Sequence, residues 1–395
     1  MRGRTVALAC ALGVAPLVVA EYTFFTPPGS FAVEVSLDNS PYLRLPIYRN
    51  AITSLEVVGD YAIGGTSAHE GLSPFLFAVS LAKRKLEHMY DLAKAIPGQR
   101  AIVSGFGRGP DGALYGGTMV GRQGGSGHMF RARLGAAGFE VTDLGVPVPG
   151  EGVFAVACGP RAETIYGIAH PSGKFFAFDV RARNTRVSGD TSPTRRETGF
   201  LHQYAIEPAD YLCRRLIVDR QGRIYGSKPV NKLFRFDPEK GAVTILADEL
   251  PEGWGRRPLG RVDAWAVATD GTLYGGNAGD GQLFRLDPAT GKVTNLGKPA
   301  MMPRIMGLGF AADGKLYGIA GARPGYAHLF RYDAAGRGFT DLGNPRFTMT
   351  EPGIEQGIAW RGFQIGTLAV SEDGRYVAMG EDEALSQLMV FPTAR

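Results

Sequence analysis

The side chains able to do chemistry in this sequence are few and scattered. There are six histidines, His69, His88, His128, His170, His202 and His328, and three cysteines, Cys10, Cys158 and Cys213. Histidine exchanges a proton near neutral pH, tyrosine beside a cation can serve as acid or base, and arginine grips carboxylates through a planar fork. No spacing among them fixes a mechanism. Gly-x-Ser-x-Gly elbows, His-Glu-x-x-His, phosphate-binding loops and EF-hand loops are all missing. Gly279-Asp280-Gly281 and the Asp-Pro-x-x-Gly segments read as turns and not as calcium loops. Any active constellation must therefore be assembled from distant parts of the chain by the fold.

That fold is written as a repeat. A small or apolar residue, an aromatic and a glycine recur at Leu114-Tyr115-Gly116, Ile165-Tyr166-Gly167, Ile224-Tyr225-Gly226, Leu273-Tyr274-Gly275 and Leu316-Tyr317-Gly318. Ala62-Ile63-Gly64 opens the series without the aromatic, and Tyr376-Val377-Ala378 closes it in degenerate form. From Gly64 to Ala378 the spacings are 52, 51, 59, 49, 43 and 60 residues. Within a unit, an apolar strand such as Trp265–Ala268 leads through Asp270-Gly271 into the aromatic-Gly strand. A third strand follows (Leu233-Phe234-Arg235-Phe236, Leu283-Phe284-Arg285-Leu286, Leu329-Phe330-Arg331-Tyr332), then an Asp-Pro-x-x-Gly turn and a fourth strand such as Lys292–Leu296. Seven four-stranded antiparallel units predict an all-β, seven-bladed β-propeller over residues 21–395, with no helix of useful length. The spare strand Phe31–Val35 is expected to complete the last unit, which stops early at Met389-Val390-Phe391, and so close the ring. Composition agrees: 44% hydrophobic and 21% charged residues exclude disorder, while 56 glycines and 25 prolines suit many turns. A disulfide-stapled miniprotein, a coiled coil and a membrane bundle are excluded.

Met1–Ala20 carries two arginines, an apolar run from Thr5 and small residues before Glu21, the pattern of a cleaved signal peptide. Sixteen residues are short for a membrane span, and only about five apolar residues precede Cys10, too few for a lipoprotein leader. Export, to the periplasm or the outside, is the expectation. Without Arg2 and Arg4 the chain has 41 basic and 38 acidic residues. That mild balance gives no nucleic-acid stripe.

Antiparallel order places two sets of loops on one face, those after each aromatic-Gly strand and those before each inner strand. The first set holds His69, Arg122, His170, Lys228 and Asn277; the second holds Arg100, Tyr211, Arg261, Asp263 and Arg304, with Arg214 and Arg215 just inside. His128 and His328 take the third-strand place of Lys232 and Gln282 and read as surface residues, and His88 reads as exposed. His202 belongs to a long insertion, Asp190–Asp210, able to fold over the same face. Cys158 and Cys213 lie on neighbouring inner strands but differ in height by four residues, about 13 Å, beyond the roughly 7 Å that a disulfide spans. Buried free thiols are expected there, with Cys213 and His202 as the alternative pair for a structural zinc.

The whole repeat region resembles secreted seven-bladed propellers of the YVTN and gluconolactonase type. Quinoprotein dehydrogenases are a poor match, since only Trp254, Trp265 and Trp360 are present. A narrower resemblance joins Tyr211, His170 and Lys228 to the ulvan-lyase type of polysaccharide lyase. It implies Tyr211 as acid or base, His170 as its partner, Lys228 neutralising the substrate carboxylate, and zinc near His202 and Cys213. In such a β-elimination a cation on a uronate acidifies the neighbouring C5 proton, a base removes it and an acid protonates the leaving oxygen. Cations at Arg215 and Lys228 are expected to lower the Tyr211 phenol pKa. Lys228 departs from the family's arginine, and the second family histidine falls near Pro149-Gly150, leaving His69 as its substitute. The competing expectation is a non-catalytic funnel in which Arg215, Arg261, Arg304, Trp254 and Tyr211 hold an acidic polysaccharide, an oligosaccharide or a partner protein. A lactonase would instead gather Glu355, Asn277 and Asp263 around a metal.

Overall fold

Why the repeat takes its form is visible in one contact made over and over. The glycine of each aromatic-Gly strand lies directly opposite a phenylalanine of the third strand: Gly64 with Phe77, Gly116 with Phe130, Gly167 with Phe176, Gly226 with Phe234, Gly275 with Phe284 and Gly318 with Phe330. A Cβ at these glycines would stand 2.1–2.6 Å from the facing ring, so the missing side chain makes the seat for the aromatic. The degenerate copy follows the same rule by compensation: Ala378 faces Val390, a larger residue against a smaller one. The phenylalanines so seated are fully buried.

The computed structural model describes residues 23–35, 51–68, 73–121, 124–203, 206–251, 260–321, 325–351, 357–382 and 386–393. It is all-β apart from short helical turns and one helix, and its strands form antiparallel four-stranded blades in a propeller arrangement. Five blades stand as separate sheets, not the expected seven. Four of them have four strands, as in Gly152–Cys158, Thr164–His170, Lys174–Asp179 and Asn184–Asp190. The fifth, which begins at Ala51–Val58, is widened to six by Gln99–Ala101 and Met119–Val120. The remaining strands share one ten-stranded sheet, because the long strand Gly338–Glu351 pairs in parallel with Phe31–Glu34. Phe31–Glu34 also pairs antiparallel with Gln387–Pro392, Phe31 facing Val390, so the N-terminal strand completes the last set as expected. Apolar cores fill the spaces between successive blades; Tyr166, Phe175, Phe234 and Phe236 form one of them.

The insertion at 190–210 contains a helix, Arg195–Gln203, which corrects the all-strand expectation. Its start is a capping box: Thr194 Oγ1 accepts from Glu197 N–H at 3.3 Å, and Glu197 accepts from Thr194 N–H at 2.7 Å. The helix buries only Leu201, which is why no apolar period announces it. Among the described residues no helix is long and apolar enough to cross a membrane. Cys158 and Cys213 are buried free thiols.

Candidate functional site

Strand register brings the two loop sets to one face. Gly152, at the start of an inner strand, lies opposite His170 at the end of the next, and Val262 lies opposite Asn277. At that end the inner strands share a further feature. The register shifts between Ile52 and Ser54, Val153 and Ala155, Val262 and Ala264, Ile305 and Gly307, and Ile365 and Thr367. Each shift is a β-bulge whose extra residue is Thr53, Phe154, Asp263, Met306 or Gly366. Such bulges re-aim side chains. Thr53, Asp263, Met306 and Gly366 line one small cavity of about 30 Å³ with Ile52, Val103, Arg214, Arg215 and a second acid, Asp382. This ring is the floor of the funnel. Asp263, expected in the loop ahead of its inner strand, lies inside the strand Val262–Val267 at the bulge, which no sequence pattern announces.

Asp263 is the centre of the charge. It is only 3% exposed and is paired with Arg261, which donates from Nη2 to Oδ2 at 2.9 Å and brings Nε within 2.8 Å of Oδ1 as an ion-pair contact outside hydrogen-bond geometry. Burial opposes its charge, but Arg261, Arg214 and Arg304 hold its carboxyl below the usual range. Arg261 also donates to the Asp210 carbonyl at 2.6 Å and lies over the Tyr211 ring at 5.2 Å. Arg304 stands 4.0 Å from Asp263 Oδ2, outside hydrogen-bond range, and among the described residues its guanidinium makes no hydrogen bond. Its backbone has φ +65, a conformation uncommon for arginine and frequent at binding sites.

His170 flanks this cluster. Its ring packs 5.0 Å from that of Phe154, over which Arg214 is placed at 5.5 Å. Burial holds the imidazole below its ordinary pKa; Asp210 pulls the other way and Arg214 adds to the lowering. The ring is thus neutral at pH 7. Tyr211 corrects an expectation: burial pushes its phenol well up, and Arg261 and Arg304 only partly offset this. Neither Arg215 nor Lys228 lowers it.

Other predicted residues go elsewhere. Lys228 Nζ donates to the Ser192 carbonyl, and its charge answers Asp190 and Glu197 of the insertion, so it anchors that insertion instead of facing Tyr211. Arg215 is committed to the protein: Nη1 donates to the carbonyls of Val103 at 2.7 Å and Arg214 at 3.1 Å, and Nη2 to that of Thr53 at 2.9 Å. Cys213 sits in the core; its thiol donates to the Arg215 carbonyl at 3.0 Å and its sulfur receives the Ser227 N–H at 3.3 Å, whereas His202 is exposed on the helix. Among the described residues no three His, Cys, Asp or Glu side chains are grouped to hold a metal. Asn277 is buried, donating to the Pro251 carbonyl and accepting from Gly279 N–H, and Asp263 pairs with Arg261. His69, Trp254 and Glu355 lie outside the described residues. His88 is half-buried beside Tyr61, not exposed, while His128 and His328 bond outer-strand Asp143 and Asp341 at 2.9 and 3.1 Å.

Arg215 bridges strands and, with Asp263 and Met306, lines both the floor cavity and a larger one of about 390 Å³ along the inner strands. Glu56 is among the residues that line that larger cavity.

Strands of this order and pairing define a β-propeller. No family model matches the sequence, and no curated protein is significantly similar to it. Among solved structures, virginiamycin B lyase from Staphylococcus aureus is similar at 12% identity and a TM-score of 0.55, covering 92% of this chain and 100% of that one. The WD40 repeats of RRP9 match at 11% identity and a TM-score of 0.57, covering 87% and 95%. A chain of the mitotic checkpoint complex matches at 12% identity and 0.57, covering 100% of each. At such identities the likeness shows the fold alone.

Proposed function

We propose that this protein is an exported propeller, secreted or periplasmic, whose funnel binds the carboxylates of an acidic polysaccharide or oligosaccharide. In rotational order we count the ten-stranded sheet as two blades, which makes seven. The observation that carries the binding reading is the crowding of Arg214, Arg215, Arg261 and Arg304 around one acid, Asp263. Arg261 and Arg215 are already held by protein acceptors, so Arg304 is the fork left to meet a ligand carboxylate. Tyr211 supplies an aromatic face beside it.

A second reading, cleavage by β-elimination, is favoured by the protonation states of His170 and Tyr211. A neutral His170 takes the C5 proton, Arg304 neutralises the uronate, and a Tyr211 phenol kept protonated by burial gives its proton to the leaving oxygen. Lys228 has no part in this scheme, and neither does a metal. Virginiamycin B lyase, also a propeller and also a lyase by name, has been crystallised as a catalytically inactive variant with quinupristin.

The test is to incubate the protein with a panel of uronate polysaccharides, following the ultraviolet absorbance of the unsaturated uronyl product while measuring binding by calorimetry. Rising absorbance supports the lyase. Saturable binding with a flat trace leaves the glycan-binding propeller, and neither signal across the panel rejects both. The mass of the exported protein, expected to begin at Glu21, tests the localisation.

A further inference from the structure

The repeat is uneven at one boundary. In the second, fourth, fifth and sixth units the tyrosine of the aromatic-Gly strand shares a cross-strand row with an arginine and a threonine, as Tyr225 does with Arg235 and Thr244. In the third, Tyr166 stands beside Ala177 and Arg186. In the first unit the row is Ile63, Ala78 and His88. Members of such a row point to one side of the sheet, here toward the next unit. There a large residue meets each tyrosine: Phe178 packs with Tyr115, Phe236 with Tyr166 at 5.5 Å between ring centroids, Leu286 with Tyr225 and Tyr332 with Tyr274 at 6.3 Å. The corresponding residue facing Ile63 is Ala132, which lies opposite Leu114 as Phe236 lies opposite Ile224. Short side chains thus stand on both sides of the first boundary. A cavity of about 420 Å³ opens there, lined by Ile63 and Ala132 with Tyr61, Leu134 and Phe139, and its size is that of a small-molecule site.

The cavity reaches the turns Gly59-Asp60 and Asp111-Gly112, which join first to second strands, and so lies on the face away from the funnel. Its rim is answered by the protein or by water. Asp111 pairs with Arg131, Arg133 donates to the Asp111 carbonyl at 3.0 Å, the Tyr61 hydroxyl donates to Glu87 at 2.8 Å, and Asp60 is exposed. His88 differs. It is half-buried against the Tyr61 ring, and a Cβ on Gly138 of the second unit would stand 3.7 Å from its Nδ1. Its imidazole makes no hydrogen bond among the described residues.

We infer that this gap is a binding site for a small neutral hydroxyaromatic molecule, whose ring takes the place that a tyrosine holds in the following units and whose hydroxyl bonds the His88 imidazole. The ring buries its faces against Ile63, Phe139 and Tyr61, and the one polar group fixes its orientation.

Calorimetry with para-cresol, the tyrosine side chain as a free molecule, is the experiment. Toluene lacks the hydroxyl and methylcyclohexanol lacks the flat ring. Saturable binding of para-cresol is expected, with toluene about fivefold weaker for want of the hydrogen bond and methylcyclohexanol about threefold weaker or less tightly bound still. Ile63→Tyr restores the ring from within the chain and should weaken para-cresol at least about tenfold, with the circular dichroism of the fold unchanged. His88→Leu should bring para-cresol down to the affinity of toluene and leave toluene itself unaffected. Should Ile63→Tyr fail to fold, Ala132→Leu fills the gap from the other side, and the comparison of the three compounds on the unaltered protein needs no variant. Absence of saturable para-cresol binding, as when another segment of the chain or a second copy covers the gap, would overturn the proposal. So would equal affinity for toluene or methylcyclohexanol, or para-cresol binding untouched by Ile63→Tyr and Ala132→Leu.

Discussion

The funnel floor and the channel beneath it handle buried charge in opposite ways. On the floor, one buried carboxylate is surrounded by arginines, paired with Arg261 and kept ionised. In the channel, Glu56 lines a cavity with no hydrogen-bond donor to its carboxyl among the described residues, and burial drives that carboxyl toward the neutral form, opposed by Arg108. The same residue chemistry therefore yields a permanent anion in one place and a titrating acid in the other. What separates them is whether donors were supplied along with the charge.

The strongest way to break this contrast is Arg261→Ala. It strips the ion-pair partner from an acid that is 3% exposed and should destabilise the fold by about 3–5 kcal/mol. Chemical denaturation measures this, and a variant as stable as the parent would mean that Asp263 needs no local cation. The opposite outcome is expected in the channel. Because the folded pKa of Glu56 lies above its ordinary 4.5, its carboxyl weakens the fold progressively as pH rises from about 4.5 through about 7. Glu56→Gln should thus stabilise the protein by up to about 3 kcal/mol at pH 8.5 and by almost nothing at pH 4. Melting curves across that range show the sign directly.

Binding sharpens the comparison further. Arg304→Ala should weaken acidic-oligosaccharide affinity at least tenfold, about 1.4 kcal/mol, with stability nearly unchanged, since its guanidinium bonds no protein acceptor among the described residues. If elimination occurs, His170→Ala should abolish turnover with binding retained. The parent's rate should rise with pH around a midpoint below about 6.5, because burial lowers the imidazole. The smallest effect belongs to Lys228→Met. It loosens the helical insertion at Ser192 by less than about 1 kcal/mol and leaves sugar affinity alone. A large loss of affinity there would return Lys228 to the funnel.

What the sequence made legible is what repeats. The aromatic-Gly strands, their Asp-Gly and Asp-Pro turns and the N-terminal strand that completes the last set depend on local contacts renewed in every unit. The face carrying the loops followed from antiparallel order alone. What stayed hidden depends on single, non-repeating contacts. Whether Lys228 points at Tyr211 or at Ser192 is decided by an insertion with no apolar period, though Thr194-x-x-Glu197 marked its helix start. Two cations near Tyr211 in sequence suggested a lowered phenol pKa, but the depth of burial, which outweighs them, is a tertiary property. Parallel pairing of Gly338–Glu351 with Phe31–Glu34, which fuses two units into one sheet, leaves no trace in periodicity. The bulges that turn Asp263 inward leave none either.

Phe31–Glu34 is held on one side by Gly338–Glu351 and on the other by Gln387–Pro392, so a strand from the N-terminal part of the described chain is the seam between two sets of strands from its C-terminal part. A chain cut between Glu351 and Gln387 would keep the first neighbour and lose the second, leaving one edge of that seam unmatched, an open invitation for another chain to pair with it.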